Sequence, residues 1–431
     1  MVTISPERAK DLQGVIREWC GGQELPADLA ELEAFAVEVS RVVGHAVMEQ
    51  GLPAAADKAG YEGSSLGCSC GKKAKFVSYR PRWVVTVFGG AQAWRGYYHC
   101  RHCGTGQVPW DRRQGLSSLQ WSPHVKGLMA QAVGHLPYGE AVGMMAQFTG
   151  LEIEESRAEA IVAEVGGRLR DQEAAGMDYD CGEVIPLVPQ APKRLYVSMD
   201  GASAHIDGSW HEVKTGVVYE GVPDKDGIDT SANARYVAAQ EPAERFGERL
   251  YVAAAQAGVE HTDHTVVIGD GAEWIWNLAK HHYPWATEVL DYWHATQHIH
   301  ALAQALHGAE SPQGQRWAQD HCRWLKERGP ATLLRSLKRM KPKTTHQREA
   351  LQREQGYFTN NRHRMDYPGF RNHGMMIGSG PIEAGCKTIV GARLKQSGMR
   401  WSADGADAVL AIRTALLSGH QDRVQAMAKA A

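Results

Sequence analysis

Apolar residues fall at helical spacing between Pro6 and Gln50, with Leu29, Leu32, Phe35, Ala36, Val39, Val42 and Val43 recurring, so this stretch predicts helices. Lys75 to Thr86 and Ala93 to Tyr98 are strand-like and predict a β-hairpin. Helical spacing returns from Ser122 to Arg170, broken at Pro137-Tyr138-Gly139-Glu140 and Thr149-Gly150-Leu151-Glu152. Within Tyr138 to Leu169 a short helix, a glycine-bearing turn and a longer helix from about Glu154 are compatible with helix-turn-helix. Glu152, Glu154, Glu155 and Glu159 crowd the start of that second helix, an awkward surface for phosphate, and give plain helical packing equal weight. Periodicity is lost from Asp171 to Pro192, where glycine, acids and prolines mark a linker.

Beyond the linker, Leu195 to Met199, Glu212 to Glu220 and Ala234 to Gln240 predict strands, and Pro242 to Ala257 a helix. Thr265 to Ile268 is another strand, Glu273 to His282 a helix, Thr287 to Tyr292 a strand, and Ala295 to Leu306 a helix. Three meander strands followed by alternating helices and strands are the order of a ribonuclease-H-like α/β fold, a mixed sheet flanked by helices. In that order Asp200 ends the first strand and Asp270 the fourth, and neighbouring parallel strands would bring the two tips together at the carboxyl edge. The stretch from Ala301 to Leu337 is rich in helix formers, Arg335 to Lys343 is basic and Gln347 to Gln355 is polar, so no sheet strand is expected there.

A chain of 431 residues with 43% hydrophobic content has room for two to four domains with cores. No apolar run approaches the roughly 18 to 20 residues of a membrane span, and the start of the chain lacks the pattern of a signal peptide, so the expected compartment is the cytosol. Lys and Arg (47) balance Asp and Glu (49), so nucleic-acid affinity would have to come from local patches or from metal bridging. Of eight cysteines, Cys20, Cys181, Cys322 and Cys386 are scattered, whereas Cys68, Cys70, Cys100 and Cys103 form two close pairs flanking the hairpin. Two thiolates from each tight turn, Cys68-Ser-Cys70-Gly and Cys100-Arg-His102-Cys103-Gly, suit a tetrahedral Zn²⁺ in a zinc ribbon. His99 or His102 could replace one ligand, and four reduced cysteines are the alternative.

Three motifs place an acid at a strand end or a helix start: Val-Ser-Met-Asp200-Gly, Val-Ile-Gly-Asp270-Gly and Gly-Ser-Gly-Pro-Ile-Glu383. Carboxylates so fixed can hold hard divalent cations together with substrate phosphate, which points to a Mg²⁺- or Mn²⁺-dependent nuclease. Each acid also has a plain role. Asp200 and Asp270 suit turns after strands, and Glu383, with Gly380 as cap and Pro381 at the first position, suits a helix start. His294 lies one helical turn from Asp291 and can support the site or be held in the core by that aspartate. Lys387, Arg393, Lys395 and Arg400 follow Glu383 as candidate phosphate contacts. Asn360, Asn361, Arg362, His363 and Arg364 form a second patch, and Lys72, Lys73, Lys75, Arg80 and Arg82 on the ribbon a third. Among Trp274, Trp276, Trp293 and Trp317, the last is the candidate DNA-facing ring.

The cysteine pairs with Tyr97-Tyr98-His99-Cys100, then Ser198-Met199-Asp200-Gly201, Gly269-Asp270-Gly271-Ala272, Asp291-Tyr292-Trp293-His294 and Gly378-Ser379-Gly380-Pro381-Ile382-Glu383, occur in one order. In this the chain resembles DDE transposases of bacterial insertion sequences, specifically the ISKra type, which are distantly related to Mutator-like elements. The resemblance covers nearly the whole chain. It implies that Asp200, Asp270 and Glu383 form a catalytic triad, with Asp200 bridging two ions, and that a helical insertion of about 307–372 separates Asp291 from Glu383. It also implies a partner in double-stranded DNA, namely terminal inverted repeats and target, and a homodimer or larger assembly on it. The expected organisation is a helical region (1–60), a zinc ribbon (61–115), a helical and possibly helix-turn-helix domain (116–175), a linker (176–193) and a catalytic domain (194–431). A catalytically inactive zinc-ribbon DNA-binding regulator derived from a transposase is the alternative.

Overall fold

The computed structural model describes residues 4–59, 61–177 and 191–429. Most of the expected linker, with Cys181, lies outside them. The protein is mixed α/β and divides into two compact units, one centred on Met1–Val125 and one on Lys126–Phe148 and Glu152–Ala430. The boundary between them falls at Val125–Lys126, inside the segment 116–175. No described helix is long and apolar enough to cross a membrane.

In the first unit, helix α1 (Pro6–Gly21) starts on Ser5, whose hydroxyl accepts from the Arg8 N–H, with proline in the first turn where its missing N–H costs nothing. It is followed by α2 (Leu29–Ala59), and the rings of Trp19 and Phe35 stack at 6.0 Å. Strands β1 (Ser65–Gly67), β2 (Lys73–Thr86), β3 (Gly89–His99) and β4 (Gly106–Gln107) form an antiparallel sheet in sequence order. The β2–β3 hairpin is longer than its sequence pattern predicts and carries a bulge between Phe76 and Ser78. Helix α3 (Pro109–Gln114) adds Trp110 to a small core with Val84, Ala93 and Leu116. Arg82 and Arg95 both grip Asp111 at 2.8 Å. Arg82, a candidate for phosphate contact, is thus already engaged. An apolar core this small gains from a covalent or metal staple.

The second unit begins with α4 (Pro123–His135), α5 (Tyr138–Thr149) and α6 (Glu155–Met177). Its sheet consists of β5 (Arg194–Ile206), β6 (Ser209–Pro223), β7 (Asp229–Ala239), β8 (His264–Gly269) and β9 (Thr287–Leu290), with α7 (Ala243–Gln256) and α8 (Glu273–His282) between the last three. The spatial order is β7-β6-β5-β8-β9, with β5, β6 and β7 an antiparallel meander and β5, β8 and β9 parallel. Leu195, Tyr196, Val197, Met199, Val266, Val267 and Ile268 are almost wholly buried, which fits central strands covered on both faces. After β9 the described chain is helical throughout: α9 (Tyr292–His307), α10 (Pro312–Arg328), α11 (Pro330–Lys338), α12 (Thr345–Asn360), α13 (Tyr367–Asn372) and α14 (Gly380–Gly385). A π-helical turn (Cys386–Gly391), α15 (Ala392–Leu394), α16 (Ala403–Leu417) and α17 (Gln421–Lys429) complete it.

Three expectations are corrected here. Asp200 does not end its strand: β5 runs on to Ile206 in a long hairpin with β6, and only the parallel pairing with β8 stops at Ser198. Helix α9 starts at Tyr292 rather than Ala295 because the Asp291 side chain caps it. Ser379, not Gly380, is the residue before α14, so Glu383 sits one place deeper in that helix. Helix α6, the second helix of the candidate helix-turn-helix, buries Ala158, Ile161, Val162, Val165 and Leu169 and packs on α16. The crossing is close enough that a Cβ at Gly166 would lie 2.4 Å from the Ala408 carbonyl oxygen.

Candidate functional site

Two constellations contain the candidate chemistry, one in each unit. In the first, Cys68 and Cys100 each open a tight turn. The Gly71 N–H donates to the Cys68 carbonyl, and the Gly104 N–H to that of Cys100, both at 2.9 Å. Gly71 (φ +78°) and Gly104 (φ +75°) are left-handed, the conformation that lets each turn curl back at little steric cost. The four sulfurs lie within 4.8 Å of one another, with Cys68 3.5 Å from Cys103 and Cys70 3.6 Å from Cys100. A tetrahedron with Zn–S bonds of about 2.3 Å has edges of roughly 3.8 Å, so this donor set can hold a metal ion such as zinc. Hydrogen bonds from Thr105 bring the Cys103 thiol down to about 6, while burial and the neighbouring sulfurs push Cys70 up to about 12. The thiols thus titrate together, and a metal ion would displace the protons that remain. Neither His99 nor His102 belongs to the cluster.

In the second unit the register of three parallel strands aligns three aspartates. Ser198 pairs with Ile268 and Gly269 with Leu290, so two residues past the first pair and one past the second lie Asp200, Asp270 and Asp291. Asp200 is opposite Thr215 on β6 and its side chain takes the same face. A Cβ at Gly385 of α14 would touch Tyr236 and Thr215, while one at Gly216 would meet Leu250 and Phe246 of α7. Strand alternation therefore puts α14 on the Asp200 face and α7 on the other. The Cys386 thiol lies beside both Asp200 and Thr215, and burial together with Asp200 pushes it up to about 12.

Burial raises the Asp200 carboxyl above its ordinary value, and Asp270 adds to this, while the Gly201 N–H and His294 oppose it. Asp270 accepts from the Ala272 N–H at 2.9 Å and so opens the turn into α8. The turn needs Gly271 (φ +104°), where a side chain would also press on the Tyr357 hydroxyl. That hydroxyl donates to the Asp270 carbonyl at 3.3 Å, and the Tyr357 ring stacks on His298 at 3.7 Å. His298 in turn bonds the buried Glu354 at 2.7 Å. Burial alone would raise Glu354, but His298 and Arg353 hold it below its ordinary value.

Asp291 has a different part. Its buried carboxylate accepts from the Trp293 N–H (3.1 Å), the Ser379 N–H (3.3 Å) and the Ser379 hydroxyl (2.9 Å). It thus caps α9 and anchors the chain just before Glu383. Half-buried His294 lies close enough to lower both the Asp200 and Asp291 carboxyls. Glu383 is exposed on α14 and pairs with Lys387 at 2.7 Å. Among the described residues the four cysteines are the one metal-ligating group of three or more gathered so closely, so Glu383 does not close a tight triad with Asp200 and Asp270.

The remaining basic and aromatic candidates divide. Lys395, Arg400 and Arg362 are exposed. Arg393, expected on a solvated face, is 1% exposed and donates to the Val133 carbonyl. Arg364 bonds Glu288 at 2.6 Å and covers the Trp276 ring. Trp317 stacks on His321 at 3.8 Å and packs on the core, so its ring is not splayed towards solvent. Ser379, Tyr357 and Cys386 reach the site without having been expected there. Only Ser379 had a local signal, being enclosed between two glycines.

No family model matches this chain, and no curated protein matches it significantly. The candidate site rests on its own geometry.

Proposed function

We propose that the protein is a DNA transposase of the DDE type, resembling ISKra-type insertion-sequence enzymes. It would cleave strands at element ends and transfer them into target DNA. The observation that carries this reading is the register of β5 and β8, by which Asp200, inside β5 just past its parallel pairing, and Asp270, one residue past β8, lie side by side, with α14 packed on the Asp200 face. The sheet order β7-β6-β5-β8-β9, antiparallel then parallel, supports a ribonuclease-H-like reading, and the helices between β9 and Glu383 support an inserted lobe.

Asp200, Asp270 and Glu383 are hard oxygen donors of the kind Mg²⁺ or Mn²⁺ takes, and to share an ion with the aspartates Glu383 would have to leave Lys387 and swing towards them. An ion held by them would supply Lewis-acid activation of a water or 3'-hydroxyl and charge stabilisation at the leaving oxygen. Asp200, inside β5, and Asp270, just past β8, would contribute negative charge from fixed backbone positions. Asp291 is a positioning residue, holding Ser379 so that α14 starts at a defined place. His294 supplies a partly buried imidazole beside Asp200. Lys387, now on Glu383, would exchange that partner for a DNA phosphate, together with exposed Lys395 and Arg400. Zn²⁺ would stabilise the ribbon. DNA-bound dimers or larger assemblies follow from the need to hold two element ends.

The Glu383–Lys387 pair is the observation that favours the second reading, a zinc-ribbon DNA-binding regulator without catalysis. Incubating purified protein with Mg²⁺ or Mn²⁺ and labelled element-end DNA decides between them. Wild type is expected to cleave, and Asp200→Ala to lose at least about 10³-fold, as when one member of a cooperating catalytic set is removed. Equal cleavage by both would sink the triad, and binding without cleavage by wild type would favour the regulator.

A further inference from the structure

A cavity of about 580 Å³ opens in the second unit away from the carboxylate row, lined among others by Tyr138, Ser156, Arg393, Arg400, Trp401 and Gly405. Its size falls within the range of small-molecule sites. The first turns of three helices line it: α5 through Tyr138 and Gly139, α6 through Glu155 and Ser156, and α16 through Asp404 and Gly405. Helix N-termini carry partial positive charge and favour anions.

Arg393 supplies an independent pointer to a ligand. Its Nε donates to the Val133 carbonyl at 2.9 Å, but its buried Nη1 and Nη2 have no hydrogen-bond partner. The guanidinium lies 4.8 Å from the Trp401 ring centre and 5.5 Å from that of Tyr138. Buried Arg413 nearby adds a second positive charge. Burial brings Arg393 down to about 10, so it is still charged at neutral pH. A buried cation with two idle donors is costly unless an anion completes it. Glu155, Glu159 and Asp404 are exposed around the mouth rather than paired with it.

We propose that this cavity binds a phosphate group, with Arg393 as the bidentate donor at its base and the helix N-termini around it. The phosphate could belong to a DNA strand or to a free nucleotide, two sources with one chemistry. The assignment stands apart from the carboxylate row and does not need the transposase reading.

Thermal unfolding of the full chain at constant ionic strength tests it, with inorganic phosphate, thymidine 5'-monophosphate, thymidine and a five-residue oligothymidylate as probes and chloride as the reference. Phosphate about tenfold above its dissociation constant is expected to raise the midpoint by about 2 °C or more. Ser156→Glu, an exposed change that adds a carboxylate at the mouth, and Arg393→Lys are each expected to weaken that response at least about tenfold. Asp200→Ala is expected to retain it whether or not it abolishes cleavage. If Arg393→Lys does not fold, Ser156→Glu alone decides. A stronger response to the monophosphate than to the oligonucleotide assigns the phosphate to a free nucleotide, and the reverse assigns it to a strand. No shift beyond chloride, an equal shift with thymidine, or a response unchanged by Ser156→Glu would overturn the proposal.

Discussion

In the first unit, four sulfurs meet because two turns flanking one hairpin deliver them, each turn closed by its own glycine and backbone hydrogen bonds. In the second, three proposed ligands come from β5, the end of β8 and α14, and only the sheet register brings the first two together. The cysteine cluster is thus a product of local chain geometry, and the carboxylate row of long-range topology. Charge widens the contrast. Neutral thiols can approach freely before they ionise, whereas neighbouring carboxylates raise each other's pKa, as Asp270 does for Asp200.

The largest expected effect separates the two directly. Structural zinc sites contribute roughly 10 to 16 kcal/mol in small domains at neutral pH, so a Cys100→Ser, Cys103→Ser double variant should lose its zinc and unfold the ribbon. Elemental analysis should fall to background, and hydrogen exchange should rise across 64–107 while β5 to β9 stay protected. Unchanged zinc content would rule these ligands out. Next in size, Asp291→Ala removes a helix cap and the Ser379 anchor and should cost about 2 kcal/mol in urea unfolding. Strand cleavage should drop with it, and full activity would show that α14 is positioned by other contacts.

Asp200 offers a smaller test with a definite sign. Its folded pKa is raised by burial, so the folded state holds the proton more tightly than the unfolded chain. Stability is therefore undiminished below the ordinary value of 3.8, falls as pH rises through the raised pKa, and stays lowered at neutral pH. Asp200→Asn should unfold at higher urea than wild type at pH 7, with the difference closing in acid. A variant less stable than wild type at pH 7 would mean that the charge is compensated in the fold. The smallest effect belongs to Lys387→Met, since an exposed i,i+4 pair contributes about 0.5 kcal/mol or less. A loss above about 1 kcal/mol in urea unfolding would show that Glu383 is more firmly held than a surface pair allows.

The same contrast governs what could be read from the chain. The hairpin and its cysteine turns were visible because alternation, glycine and thiol spacing are all local. The five strands were also visible as short apolar runs, and so was the alternation of strand and helix after the meander. Less legible was anything that depends on a distant partner. Arg364 reads as a basic residue in a basic patch, yet Glu288 from β9 claims it. Arg393 reads as a surface cation, yet the end of α4 and two aromatic rings enclose it. Asp291 and Ser379 stand far apart in sequence, and nothing near either residue announces the bond between them.

That bond does more than place α14. The Tyr292 N–H also donates to the Ile377 carbonyl at 2.8 Å, so the chain leaves the sheet and returns to it at one point, clasped on both sides. The helices between these residues are tied back to the sheet elsewhere too, through Tyr357 on the Asp270 carbonyl, Arg364 on Glu288 and the Tyr367 hydroxyl on the Leu290 carbonyl. Lengthening a closed loop is cheap, about 0.6 kcal/mol for each doubling, provided that the added residues leave these ties intact. Added length is therefore borne best in the largely exposed connection 339–344 between α11 and α12, away from these ties, while the acids on either side of the clasp keep their places.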